Sequence, residues 1–146
     1  MTHRNDGADA ARFDILFETQ RFNVSEGHEH FINPCCFGED SAEWLRQRLS
    51  EKGVTASAPR QEDWGWYLFV RQNADHYFLG VGGHRREGAS SDANAGEWGI
   101  MIEKKRSLWD RLLGVNKIRD TEPIFSIVEN ILREQSDIYN MHRESL

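Results

Sequence analysis

The run WGWYLFVRQNADHYFLGVGGH, Trp64 to His84, constrains the fold more than any other stretch of this 146-residue chain. Two runs rich in aromatic and β-branched residues meet at a short polar break, which is the pattern of an antiparallel hairpin. With Asn73 and Ala74 at its centre, the hairpin sets Trp66 against Val81, Leu68 against Leu79 and Val70 against Tyr77. Trp64 falls on the same side, against Gly83, so this apolar side is the expected seat of helices. The opposite side pairs Asp63 with His84, Gly65 with Gly82, Tyr67 with Gly80, Phe69 with Phe78 and Arg71 with His76.

A third strand, Glu97 to Lys105, extends the pattern. Placing Trp98, Ile100 and Ile102 on the core side beside Val81, Leu79 and Tyr77 brings Gly99 next to Gly80, Glu97 next to Gly82 and Glu103 next to His76. Gly65, Gly80, Gly82 and Gly99 then share one patch, rimmed by Asp63, Tyr67, Phe69, Phe78, His84, Glu97 and Met101. Glycine weakens a strand interior, so such a cluster marks either sheet curvature or the close approach of another group. Three readings follow: a coiled sheet covered by another segment, a binding groove with stacking aromatics, or an acid/base site in which Asp63 orients His84. The register sets no serine or cysteine beside that pair, so a nucleophilic triad has no support.

The remaining elements follow from spacing. Phe13, Ile15 and Phe17 alternate in a first strand within Arg12 to Val24. Asp40 and Glu43 resemble a capping box, Ala42, Leu45 and Leu49 form a stripe, and Gly53 is the stop of a helix. Val54 to Ser57 reads as an edge strand ended by Pro59. Ser107 with Asp110, and Gly114 after them, delimit a short helix. A last helix runs from Thr121 to about Gln135, with Pro123 in its first turn. Its apolar stripe is Ile124, Ile127, Val128, Ile131, Leu132 and Ile138, with Glu129 off the stripe. The spacing therefore predicts one α+β domain over residues 11–140: a mainly antiparallel sheet of four to five strands with helices packed on one face. Flexible ends are expected at 1–10 and 141–146.

Charge excludes one class of partner. At a formal −6 the chain lacks the concentrated basic face of a nucleic-acid binder, and its short basic clusters, His84 to Arg86 and Lys104 to Arg106, read as solvated strand ends. No apolar run approaches the ~18 residues needed to span a bilayer, and the polar start has no signal-peptide core, so no membrane partner and a cytoplasmic location are expected. The adjacent Cys35 and Cys36 read as reduced thiols, since neighbours rarely form an unstrained bridge.

Two further motifs carry weaker signals. His28, His30, Cys35 and Cys36 have zinc chemistry, but their spacing does not match paired ligand knuckles, so no metal and no cofactor are expected. Gly80 to Gly88, GVGGHRREG, follows an antiparallel strand and opens a polar loop, so it lacks the helix N-terminus a phosphate loop needs.

The run FGEDSAEWLRQRLSEKG, followed shortly by PRQEDWGWYL, resembles a family of small uncharacterised bacterial proteins that join such a helix to a Gln-Glu-Asp-Trp-Gly-Trp strand. The similarity spans Phe37 to Ile102. It implies a compact bacterial α+β protein and brings no reaction, ligand or catalytic residue.

Two functions fit these residues. The first is a non-catalytic binding or interaction protein, monomeric or homodimeric, that uses the Gly-floored, aromatic-rimmed sheet face for a protein partner or small ligand; a toxin-neutralising immunity protein shares these properties. The alternative is a small acid/base or metal-assisted enzyme built on Asp63, His84, Glu97 and Glu62.

Overall fold

The computed structural model describes residues 9–10, 12–24, 37–86 and 95–145. The elements are β1 (Asp9–Ala10), β2 (Phe13–Thr19), α1 (Glu39–Glu51), β3 (Thr55–Ala56), β4 (Arg60–Glu62), β5 (Gly65–Gln72), β6 (Asp75–Arg85), β7 (Gly96–Lys104), α2 (Leu108–Leu113), β8 (Ile118–Arg119), α3 (Pro123–Arg133) and β9 (Ile138–Ser145). The hairpin forms as its symmetry dictates. Asn73 takes the left-handed backbone (φ 56°) that Asn tolerates, and the β5–β6 ladder runs from Gln72↔Asp75 to Trp66↔Val81.

The sheet is antiparallel throughout and has the order β3-β5-β6-β7-β2-β9, with β4 also paired to β5; β1 and β8 form a separate two-stranded piece. Among the described residues the sheet has seven strands, where four to five were expected. The surplus lies in segments without an apolar alternation: β4 is three residues of Arg-Gln-Glu, and β9 is largely polar. Residues up to Ser145 thus belong to the sheet edge, where a flexible end was expected from 141 onward.

Strand alternation makes one face apolar. Phe13, Ile15 and Phe17, Trp66, Leu68 and Val70, Tyr77, Leu79 and Val81, and Trp98, Ile100 and Ile102 are all buried. They join Ala42, Leu45 and Leu49 of α1 and Ile124, Phe125, Val128, Ile131 and Leu132 of α3 in one core. The short helix α2 is an exception to helices packed on the sheet, because none of its residues is buried.

The N-cap of helix α1 lies two residues before that of its apparent capping box, Asp40. It is Gly38, without a side-chain cap. The Asp40 carboxylate accepts instead from the backbone N–H groups of Asn23 and Ser41, each at 2.8 Å, so it ties the segment after β2 to the helix start. Gly53 (φ 79°) ends the helix as expected, with Val54 N–H returning to the Leu49 carbonyl at 2.9 Å.

Helix α3 stops at Arg133, so Ile138 falls in β9 and not on the helical stripe. Phe125, absent from the expected stripe, is fully buried, whereas Ile127 is half-buried. Glu129 is also buried, contrary to its expected place on the solvated side.

The register between β6 and β7 is Ile100↔Val81, Ile102↔Leu79, Gly99↔Gly82 and Glu97↔His84, two residues away from the expected one. The faces are unchanged. Trp98 sets the offset: in the expected register it would oppose Val81 on the crowded core side, whereas here it opposes Gly83. A Cβ on Gly83 would land within the Trp98 ring system, and one on Gly96 would lie 2.6 Å from the indole nitrogen. Trp98 is 2% exposed and has nowhere to retreat. Gly83→Ala is therefore expected to lower the unfolding free energy by about 1–3 kcal/mol through overpacking. Urea denaturation checks this, with Gly82→Ala as the control, since a Cβ there meets nothing within 4 Å.

Candidate functional site

Gln61 to Trp66 forms a tight hairpin. Gln61 and Glu62 end β4, Asp63 and Trp64 make the turn, and Gly65 and Trp66 begin β5, with Glu62 paired to Gly65 and Gln61 to Trp66. Only Trp66 enters the core. Trp64 was expected there too, two residues away on the same strand face, but the turn takes it out of the strand. Its indole instead crosses the open face of the sheet and remains half exposed.

The position of Trp64 divides the predicted glycine patch. A Cβ on Gly80 would lie 3.0 Å from the Trp64 ring and 2.7 Å from Met101 Cε, so Gly80 is the seat on which these two side chains rest. Trp64 continues into an aromatic cluster: its ring lies 5.9 Å from Phe78 and 6.4 Å from Tyr67, Tyr67 stacks on Phe78 at 5.3 Å, and Phe69 meets both edge-on. The expected aromatic rim is thus a packed cluster, with Phe69 its most exposed outer member.

Gly65 leaves the patch. It is buried beside the Val81 carbonyl, 3.2 Å from where its Cβ would stand, and the β5–β6 ladder stops before it would pair with Gly82. The same early stop means that Asp63 and His84 are not ladder partners as expected; Asp63 sits in the turn. His84 instead faces Glu97 across β6 and β7, with Nε2 3.5 Å from Oε2.

What remains open is the cross-strand pair Gly82↔Gly99. Around it lies a groove of about 580 Å³ lined by Leu16, Trp64, His84 and Glu97 as well as by Glu18, Asn140 and His142. A Cβ on Gly82 would meet nothing within 4 Å, and one on Gly99 would touch only Leu16, at 3.2 Å. The floor is backbone, with Trp64 toward one end and Leu16 toward the other.

The polar wall comes from β2 and β9. At the bulge in their ladder between Leu16 and Glu18, Asn140 adopts a left-handed backbone (φ 55°) and donates its amide to Glu18 at 2.6 Å. Arg86 reaches the other oxygen of Glu18 at 3.2 Å. The Asn140 hydrogen bond, with a smaller contribution from Arg86, holds the Glu18 carboxyl below the usual range, so it stays anionic. His142 lies beyond, 3.2 Å from Glu144. Both imidazoles are well exposed, so their contacts with carboxylates are weak and solvated.

The structure therefore brings together Gly82, Gly99, His84 and Glu97 of the predicted residues, and separates Asp63 and Gly65 from them. Sequence reasoning missed Leu16, Glu18, Asn140, His142 and the exposed Trp64. Leu16 and Glu18 were legible as the outward positions of the first strand, but nothing in the polar run around Asn140 announced a strand. His28, His30, Cys35 and Cys36 lie outside the described residues. Among the described residues no group of three or more His, Cys, Asp or Glu is placed to hold a metal ion. No protein-family model, no curated protein and no solved structure matches this chain.

Proposed function

We propose that the chain is a non-catalytic binding protein that takes a partner's side chain or a small flat ligand into the Gly82–Gly99 groove. One observation carries this reading: two paired glycines occupy interior strands of the sheet, and the space a side chain would fill above Gly82 is empty. Glycine at such a position costs roughly 0.5–1 kcal/mol relative to alanine. Gly80 and Gly83 have structural occupants, Trp64 and Trp98, and Gly82 has none. A flat group resting on this floor gains the Trp64 indole as a stacking wall and the Glu97 and His84 side chains as polar contacts. The acid/base alternative on Asp63, His84 and Glu97 draws less support, because its orienting pair is not in register and its imidazole is solvated.

The test separates binding from folding. Gly82→Val is expected to leave the melting temperature unchanged or slightly raised, since valine suits a strand and its Cβ meets no atom within 4 Å. In the wild type, amide chemical shifts of Leu16, Gly82 and Gly99 are expected to move on titration with a panel of flat aromatic amines and acids. In Gly82→Val those shifts should vanish. Shifts that persist in the folded variant, or a panel that perturbs no groove residue, would remove the groove as the site.

A further inference from the structure

Among the described residues the most exposed large apolar side chains lie away from the groove, on α2. Leu108, Trp109, Leu112 and Leu113 are 68–73% exposed, and Val115 just after them is 48% exposed. A six-residue helix does not persist in water unaided, because nucleation is costly. This one is held at both ends. The Ser107 hydroxyl accepts from Asp110 N–H at 3.0 Å while the Asp110 carboxylate accepts from Ser107 N–H at 3.3 Å. Gly114 closes the helix in the left-handed conformation. Arg106 spans it, donating to the carbonyls of Asp110 (3.0 Å) and Val115 (3.1 Å). The fold thus fixes leucines and a tryptophan in water in a preset geometry, and exposed apolar patches of this kind mark contact sites.

Charge identifies the occupant. Residues 104–119 carry six Lys or Arg against one acid, Asp110, in a chain whose formal charge is −6. Lys105, Arg111, Lys117 and Arg119 are exposed around the helix. The cationic surface continues onto the sheet edge, where Arg71, His76, Lys105 and Arg111 line an apolar cleft of about 540 Å³ in which Glu103 is the acid.

We propose that α2 is a docking tip for an anionic phospholipid surface: its leucines and Trp109 enter the acyl boundary while the surrounding cations lie at headgroup depth. Leu108, Trp109, Leu112 and Leu113 fall on one arc of the helix, with Asp110 and Arg111 on the other, an apolar face bordered by cations as in helices that lie in a membrane interface. Five side chains expose too little area for a stable protein interface, which needs about 800 Å² per partner. Two copies meeting tip to tip would bring like charges together. No helix among the described residues is long and apolar enough to cross a membrane, so the contact is with the surface alone.

Cosedimentation of the full chain with vesicles decides the matter. Vesicles of equal parts phosphatidylcholine and phosphatidylserine are expected to carry the protein down, and phosphatidylcholine alone to bind at least about tenfold more weakly. Lys105→Gln and Arg111→Gln should each weaken binding about fivefold. Leu112→Glu with Leu113→Glu should abolish it at an unchanged melting temperature, since both side chains are in solvent. The proposal falls if the wild type stays in the supernatant, or if the glutamate pair still pellets. It also falls if the helix proves to be a protein contact: either the wild type alone self-associates in sedimentation equilibrium and the glutamate pair does not, or α2 captures an acidic polyglutamate peptide while ignoring vesicles.

Discussion

Phe125→Ala is expected to lower the unfolding free energy by about 3–5 kcal/mol, the cost of removing a fully buried aromatic ring and leaving its cavity. The ring is 0% exposed and meets Phe13 edge-on at 5.0 Å, so it joins α3 to the start of β2. The Arg143 guanidinium covers it at 4.5 Å, adding a cation–π contact from β9. Three elements, α3, β2 and β9, therefore lose packing from one truncation. Against a total stability of about 5–15 kcal/mol the loss is large, and the melting temperature should fall by roughly 10 °C or more. Ile127→Ala, on the same helix but half-buried, should cost clearly less. Thermal and urea unfolding of both variants check the ordering. Equal losses, or an unchanged midpoint for Phe125→Ala, would show that α3 does not close the core.

The parts of this fold that were legible are those in which local chemistry admits one solution. The Asn73–Ala74 hairpin has a symmetric apolar pattern that only one register satisfies, and the α2 boundaries follow from Ser107, Asp110 and Gly114 alone. The position of Trp64 was not legible, because the turn at Asp63 and Trp64 is needed to pair β4, a strand of three polar residues with no alternation to read. The β6–β7 register depended on Trp98 finding Gly83, a contact between strands that no tight turn links. Strand β9 was illegible for a related reason: an edge strand with a bulge at Asn140 shows no clean period. Half of the candidate site followed from the hairpin, and the rest needed the edge strand. The same gap hid the partner of Glu129, whose place on the helix read as solvated because Arg143 belongs to β9.

Glu129→Ala is accordingly expected to cost about 3 kcal/mol, as breaking a buried pair strands the remaining charge, where a solvated glutamate would cost almost nothing. The Glu129 carboxylate accepts from Arg143 Nη2 at 2.6 Å and Nε at 2.9 Å, a two-pronged pairing of α3 with β9. Arg143 also donates through Nη1 to the Asp120 carbonyl at 2.7 Å, which fixes its guanidinium in place before Glu129 is considered. The side chains of Arg143 and Glu129 are 25% and 11% exposed, so water softens the loss of the partner without abolishing it. Removing both charges should be milder than removing one. Glu129→Leu combined with Arg143→Met replaces the pair with apolar groups of similar reach, and such replacements are often close to neutral. The expected series is a steep loss for Glu129→Leu, as for Glu129→Ala, a comparable loss for Arg143→Met, which also uncovers Phe125, and partial recovery in the double variant, read by urea denaturation as a double-mutant cycle on the Leu and Met substitutions. A cost below about 0.5 kcal/mol for Glu129→Ala, or additive losses in the double variant, would mean that β9 is held by its backbone ladder with β2 alone.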